Sequence, residues 1–242
     1  MPSFTDTLKV NGHDMEMYAS LPSGSGPHPA VVIAFHVGGL DEFDKKMADQ
    51  LAEAGYVAVV PDLFHRFSKE VMEGPRLDRL GHLSDPDIIA DMNAAADFLI
   101  GQSSVDNDRI GVTGFCMGGR IAWLMAATNP IFKCTVPFYG GNIMGNWGPG
   151  ETPFAQAANI NCPMLFHFGA TDGNPSPEDK VKLDNELTRL GKEHTFYSYP
   201  GAGHAFMDYT NPERHNKEAA DAAWPRTLEF FATHLKGAAV AR

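Results

Sequence analysis

The segment Arg109-Ile110-Gly111-Val112-Thr113-Gly114-Phe115-Cys116-Met117-Gly118-Gly119 opens as a short β-branched run and ends in glycines. Its first six residues read as a strand, and 119–128 reads as a helix. Between them, Gly114-Phe115-Cys116-Met117-Gly118 has the form glycine, any residue, nucleophile, any residue, glycine. That spacing marks a sharp strand-to-helix turn with a reactive side chain at its apex. The turn is so tight that only glycines two positions away on each side leave room for the backbone. It sets the Cys116 sulfur at a helix N-terminus, where free N–H groups and partial positive charge favour a thiolate.

The neighbouring segments give this turn its setting. The run 30–35 is continuous and apolar, as expected of a strand covered on both faces. A helix over 44–54 ends at Gly55, and 56–60 is the next strand, closed by Pro61-Asp62. An irregular surface excursion is expected over 65–83. A helix over 86–102 precedes the quoted strand. After it come a strand at 134–139, a glycine-rich loop at 140–150, a strand at 164–169, a helix over 179–190, a strand at 195–199 and a closing helix over 219–235. Strands alternating with helices predict an α/β protein: one domain over 1–242, a mostly parallel sheet with helices on both faces. In such sheets the site forms beyond the C-terminal ends of the strands.

A thiol nucleophile needs a base, and the base needs an orienting group. In hydrolases of this architecture the chain order is nucleophile, acid, histidine. Asp172, in Gly169-Ala170-Thr171-Asp172-Gly173, follows one strand end, and His204, in Gly201-Ala202-Gly203-His204, follows the last. His167 and His194 are worse placed, within or at the start of strands. An oxyanion hole is expected from the backbone N–H groups of Met117 and of Val37, in the early loop His36-Val37-Gly38-Gly39. Phe35, His36, Phe64, Tyr139, Trp147 and Phe206, with Arg76 and Arg79, are the candidate substrate-binding residues, and 142–150 is a candidate flap. Cys134 and Cys162 sit at or near the start of strand runs and read as core.

Composition narrows the class. Thirty acidic against nineteen basic residues leave a formal charge of −11. Nucleic acid and anionic membranes need a positive field, so neither is an expected partner. There is no apolar run of membrane-spanning length. Three cysteines without a Cys-x-x-Cys pair argue against a disulfide framework or a zinc knuckle. The first residues lack the basic and apolar regions of a signal peptide, so a reducing, cytoplasmic setting is expected. Ten histidines show no H-E-x-x-H or other ligand spacing, so no metal is expected. The expected partner is a small ester or lactone, acted on by a monomer or small homo-oligomer.

Taken together, these blocks resemble the dienelactone hydrolase family (carboxymethylenebutenolidases). The resemblance runs through Gly55-Tyr56-Val57-Ala58-Val59-Val60-Pro61-Asp62-Leu63-Phe64 and the Cys116 elbow to Phe138-Tyr139-Gly140, Leu165-Phe166-His167-Phe168-Gly169 and Gly203-His204-Ala205-Phe206. It implies an α/β-hydrolase fold, no cofactor, and a triad of Cys116, His204 and Asp172. Two positions depart from the family pattern. His36 stands where its best-studied members carry a Glu that accepts the thiol proton, and Asp208 stands where they carry an Arg for the substrate carboxylate. A second family Arg falls in the region of Arg66, Arg76 and Arg79. His36 thus has two readings, as a group that takes the Cys116 proton or as a pin for the oxyanion loop, and the second is favoured. The same triad would also serve a general esterase or thioesterase. The remaining alternatives are a metal-assisted hydrolase and a binding protein that kept only the fold.

Overall fold

The computed structural model describes residues 2–237. The chain opens with a hairpin that the sequence reading did not assign. Strands β1 (Ser3–Val10) and β2 (His13–Ser20) pair antiparallel, and β2 then pairs antiparallel with β4. The signal was present in Asp14-Met15-Glu16-Met17, where Met15 and Met17 are buried and the alternating acids Asp14 and Glu16 are exposed. This is the period-2 alternation of a half-covered strand.

The rest of the fold follows the predicted order. It runs β3 (His28–Ala34), α1 (Glu42–Glu53), β4 (Val57–Pro61), α2 (Lys69–Glu73), α3 (Asp85–Ile100), β5 (Val105–Phe115), α4 (Met117–Thr128) and β6 (Phe132–Phe138). It closes with β7 (Met164–Gly169), α5 (Pro177–Arg189), β8 (His194–Tyr199) and α6 (Lys217–Leu235). The eight strands form one sheet in the order β1-β2-β4-β3-β5-β6-β7-β8, parallel from β4 to β8. Every residue of β4 and β7 is buried. A strand with no exposed face must be covered on both sides, which explains why these runs are continuously apolar rather than alternating.

Two expectations change in detail. The excursion at 65–83 carries structure of its own: the short α2, capped by the Ser68 hydroxyl on the Val71 N–H, and a 3-10 turn over Arg76–His82. Helix α4 starts at Met117 rather than Gly119, because the Cys116 carbonyl already accepts from the Gly119 N–H at 2.9 Å. No helix among the described residues is long and apolar enough to cross a membrane.

Candidate active site

The turn between β5 and α4 has the strain that its glycines suggest. Cys116 sits at φ 57°, ψ −117°, a conformation that L residues rarely adopt. A Cβ on Gly114 would lie 2.1 Å from the Gly118 carbonyl oxygen, and a Cβ on Gly118 would lie 1.9 Å from the Ala34 carbonyl oxygen. Backbone cannot yield to such contacts, so glycine is required at both positions.

The loops after β7 and β8 bring the other two groups to the sulfur. They approach closely because Gly169 has no side chain; a Cβ there would meet the Gly203 carbonyl at 2.4 Å. The Thr171 N–H and hydroxyl both donate to the Ala202 carbonyl and lock the two loops together. His204 Nε2 lies 2.9 Å from Cys116 Sγ, and His204 Nδ1 lies 2.8 Å from Asp172 Oδ2. Asp172 is buried, and its other oxygen accepts from the Asn174 N–H at 2.9 Å. The Tyr139 ring packs edge-on against the imidazole at 5.2 Å and limits its rotation.

These contacts set the charges. Burial would raise the Cys116 thiol, but the His204 hydrogen bond and charge, the Met117 N–H and the more distant His36 outweigh it, and the thiol falls below its ordinary value. Burial would likewise lower His204, but its bonds to Asp172 and Cys116 raise it to about 10. Both shifts act toward a thiolate–imidazolium pair. Burial pushes Cys134 well up and Cys162 to about 11, so of the three thiols only Cys116 is shifted toward the reactive form.

The early loop after β3 borders the same cavity as the sulfur. Val37 and Met117 both border a cavity of about 340 Å³ that also contains Cys116, Asp172 and His204. Arg79 fixes this loop from behind, donating to the carbonyls of Val37 (3.2 Å), Gly38 (3.0 Å) and Met72 (2.6 Å). His36 fixes it from the other side. Its Nε2 lies 2.7 Å from Asp41 Oδ2 and 3.4 Å from the fully buried Asp44. Asp41 also caps α1 through the Phe43 N–H. Burial opposes a charge on His36, yet Asp41, Asp44 and Asp208 raise it to about 9. One ligand atom each from His36, Asp41 and Asp44 lie within 4.8 Å of one another, a set that could hold a cation. Its spacing matches none of the metal motifs sought in the sequence.

The substrate-binding expectations divide. Trp147 borders the cavity. Phe64, Tyr139 and Phe206 do not; all three are buried in the core, Phe64 against Phe35 and Tyr139 against Phe206. Phe35 is likewise buried. His36 is turned to Asp41, Arg79 is committed to main-chain carbonyls, and Arg76 is exposed outside the cavity wall. The cavity wall instead uses Leu77, Leu80, Gly141, Gly173 and Asn174, which the sequence reading did not single out as binding residues, and Asn142, the first residue of the candidate flap. Leu77 had a signal, as a large apolar side chain within an otherwise polar stretch. Arg120 was also missed. It lies fully buried on α4, in bidentate contact with Asp85 at 2.6 and 2.9 Å, and donates to the carbonyls of Asn142 and Gly145. Its guanidinium lies 3.8 Å from the Trp147 ring centre. Asp85 in turn accepts from the Trp147 N–H. This clamp fixes Asn142, Gly145 and Trp147, of which Asn142 and Trp147 border the cavity.

A parallel sheet with a strained strand-to-helix turn, and an acid and a histidine on later strand-end loops, defines an α/β hydrolase. Known proteins narrow the class. Residues 15–235 match the model of the "Dienelactone hydrolase family". A "Putative carboxymethylenebutenolidase" of Methylorubrum extorquens is 31% identical over 88% of this chain and 75% of its own length. A protein of the same name from Escherichia coli K12 is 32% identical over 93% of this chain and 84% of its own. The crystal structure of a "Putative Dienelactone Hydrolase" from Klebsiella pneumoniae superposes with a TM-score of 0.86 at 30% identity, covering 96% of this chain and 98% of that one. The chain belongs to the dienelactone hydrolase family, and is an enzyme of the carboxylic ester and lactone hydrolase class.

Proposed function

We propose that this hydrolase works through a Cys116-His204-Asp172 triad and a thioester intermediate. The unbroken contact chain from Asp172 through His204 to Cys116, opening on a cavity bordered by Val37 and Met117, carries this reading. The Cys116 thiolate attacks the substrate carbonyl carbon and a C–S bond forms. The carbonyl oxygen takes the charge and rests on the N–H groups of Val37 and Met117. The C–O bond then breaks, and the leaving oxygen takes its proton from the His204 imidazolium. Neutral His204, held by Asp172, next removes a proton from water, which attacks the thioester. The C–S bond breaks, the acid leaves and the thiolate returns. General base help of this kind contributes roughly 10²- to 10⁴-fold.

In this reading His36 is a positioning residue. Its nitrogen is engaged by Asp41, and it acts on Cys116 only through its charge. All proposed parts come from one chain, so a monomer suffices for the chemistry. The test is to mix enzyme with a slowly deacylating p-nitrophenyl ester, quench in acid and map the adduct by mass spectrometry. The acyl mass is expected on the peptide containing Cys116. Iodoacetamide should abolish turnover and a chelator should leave it intact; the reverse pattern would overturn the proposal in favour of a metal-assisted route.

A further inference from the structure

The cavity beside Cys116 contains a statement about charge. Beyond the triad it is walled by Leu77, Leu80, Met117 and Trp147, with the neutral amides of Asn142 and Asn174. Among the described residues, no Arg or Lys borders it. The nearby arginines are committed elsewhere. The Arg79 guanidinium is buried behind the Val37 loop on three carbonyls. Arg120 is bound to Asp85 and to the carbonyls of Asn142 and Gly145. Arg66 is paired with Asp91 at 2.6 Å, outside the cavity wall. The carboxyl groups of Asp41, Asp44 and Asp208 surround His36 on the other side of the early loop. The rim also carries a marked apolar feature. Leu77 is 69% exposed, the most open of the large apolar side chains among the described residues. An apolar substrate group that covers it gains roughly 25 cal/mol per Å² of apolar surface buried.

Resting on the triad reading above, we propose that the enzyme selects uncharged esters or lactones whose apolar portion lies against Leu77, Leu80 and Trp147, and discriminates against substrates bearing a carboxylate. A carboxylate entering this cavity loses water without meeting an Arg or Lys, and the one cation there, His204, is already held by Asp172 and Cys116; burying an unpaired charge is costly. The Asn142 and Asn174 amides offer polar contact suited to a neutral oxygen function.

Three matched substrates test this: p-nitrophenyl hexanoate, mono-p-nitrophenyl adipate, and the methyl ester of that adipate. The adipate carries one carboxylate, and its methyl ester is the neutral control of similar size. The expected kcat/KM for the adipate is about 100-fold or more below that of its methyl ester. Values within threefold of each other would overturn the proposal while leaving the triad reading intact. Failure to cleave any of the three would overturn the hydrolase mechanism itself. A second variant checks the cause. Leu77→Arg, at an exposed position, is expected to raise the ratio of adipate to methyl ester turnover by about tenfold. An unchanged ratio would show that charge at this wall does not set the preference.

Discussion

At the scale of single residues, the elbow makes the sharpest demands. A methyl group on Gly118 would sit 1.9 Å from the Ala34 carbonyl oxygen. Gly118→Ala is therefore expected to destabilise the fold by about 1–3 kcal/mol or more, read as a lower urea midpoint. The thiol makes a separate prediction. Because His204 holds Cys116 below its ordinary value, alkylation by iodoacetamide should stay fast at pH values where a free thiol is largely protonated. His204→Gln removes the imidazolium charge, so the inflection of rate against pH should move up. A profile unchanged by that substitution would mean that His204 does not tune the sulfur. These residues were legible because glycine spacing and chain order are local or sequential signals. His36 was only partly legible: its neighbours Asp41 and Asp44 meet it through the turn into α1, which no short motif encodes.

At the scale of elements, the Arg120–Asp85 clamp ties α4 to the start of α3 and to the 142–150 segment. Removing one partner of a buried pair leaves the other charge uncompensated, at a cost of about 3–5 kcal/mol. Arg120→Met should lower the denaturant midpoint accordingly, and Asp85→Leu added to it should recover part of the loss. A destabilisation under 1 kcal/mol would show that Asp85 finds water or another donor. The helices and parallel strands were readable because each has its own hydrophobic period. The cavity wall was not, because it is assembled from a 3-10 turn and two loops far apart in sequence. The aromatic residues first assigned to it, Phe64, Tyr139 and Phe206, had the right chemistry but lie in the core beneath. Aromatic character alone does not distinguish a pocket from packing.

At the scale of the whole molecule, buried histidines link stability to pH in opposite directions. His167 is fully buried between the Tyr199 and Thr227 hydroxyls, and burial lowers it to about 3. The unfolded chain binds a proton there near pH 6.5, so this residue costs about 1.4 kcal/mol of stability per pH unit as pH falls from 6.5 toward 3. His36 is raised to about 9, so its contribution is present below 6.5 and is lost as pH rises through 9. Urea midpoints of the native protein and His167→Gln, compared between pH 7 and 4.5, should converge as pH falls; a constant gap would contradict the buried neutral state. The charge of −11 was legible from composition, but its meaning depends on the fold. The structure commits the nearby arginines to carbonyls and carboxylates, and among the described residues no Arg or Lys borders the cavity. The nucleophile itself is tested most directly by the turnover of Cys116→Ala on p-nitrophenyl hexanoate, with folding checked by its urea midpoint. The account predicts a loss of at least about 10³-fold in kcat; near-native turnover by this folded variant would contradict it.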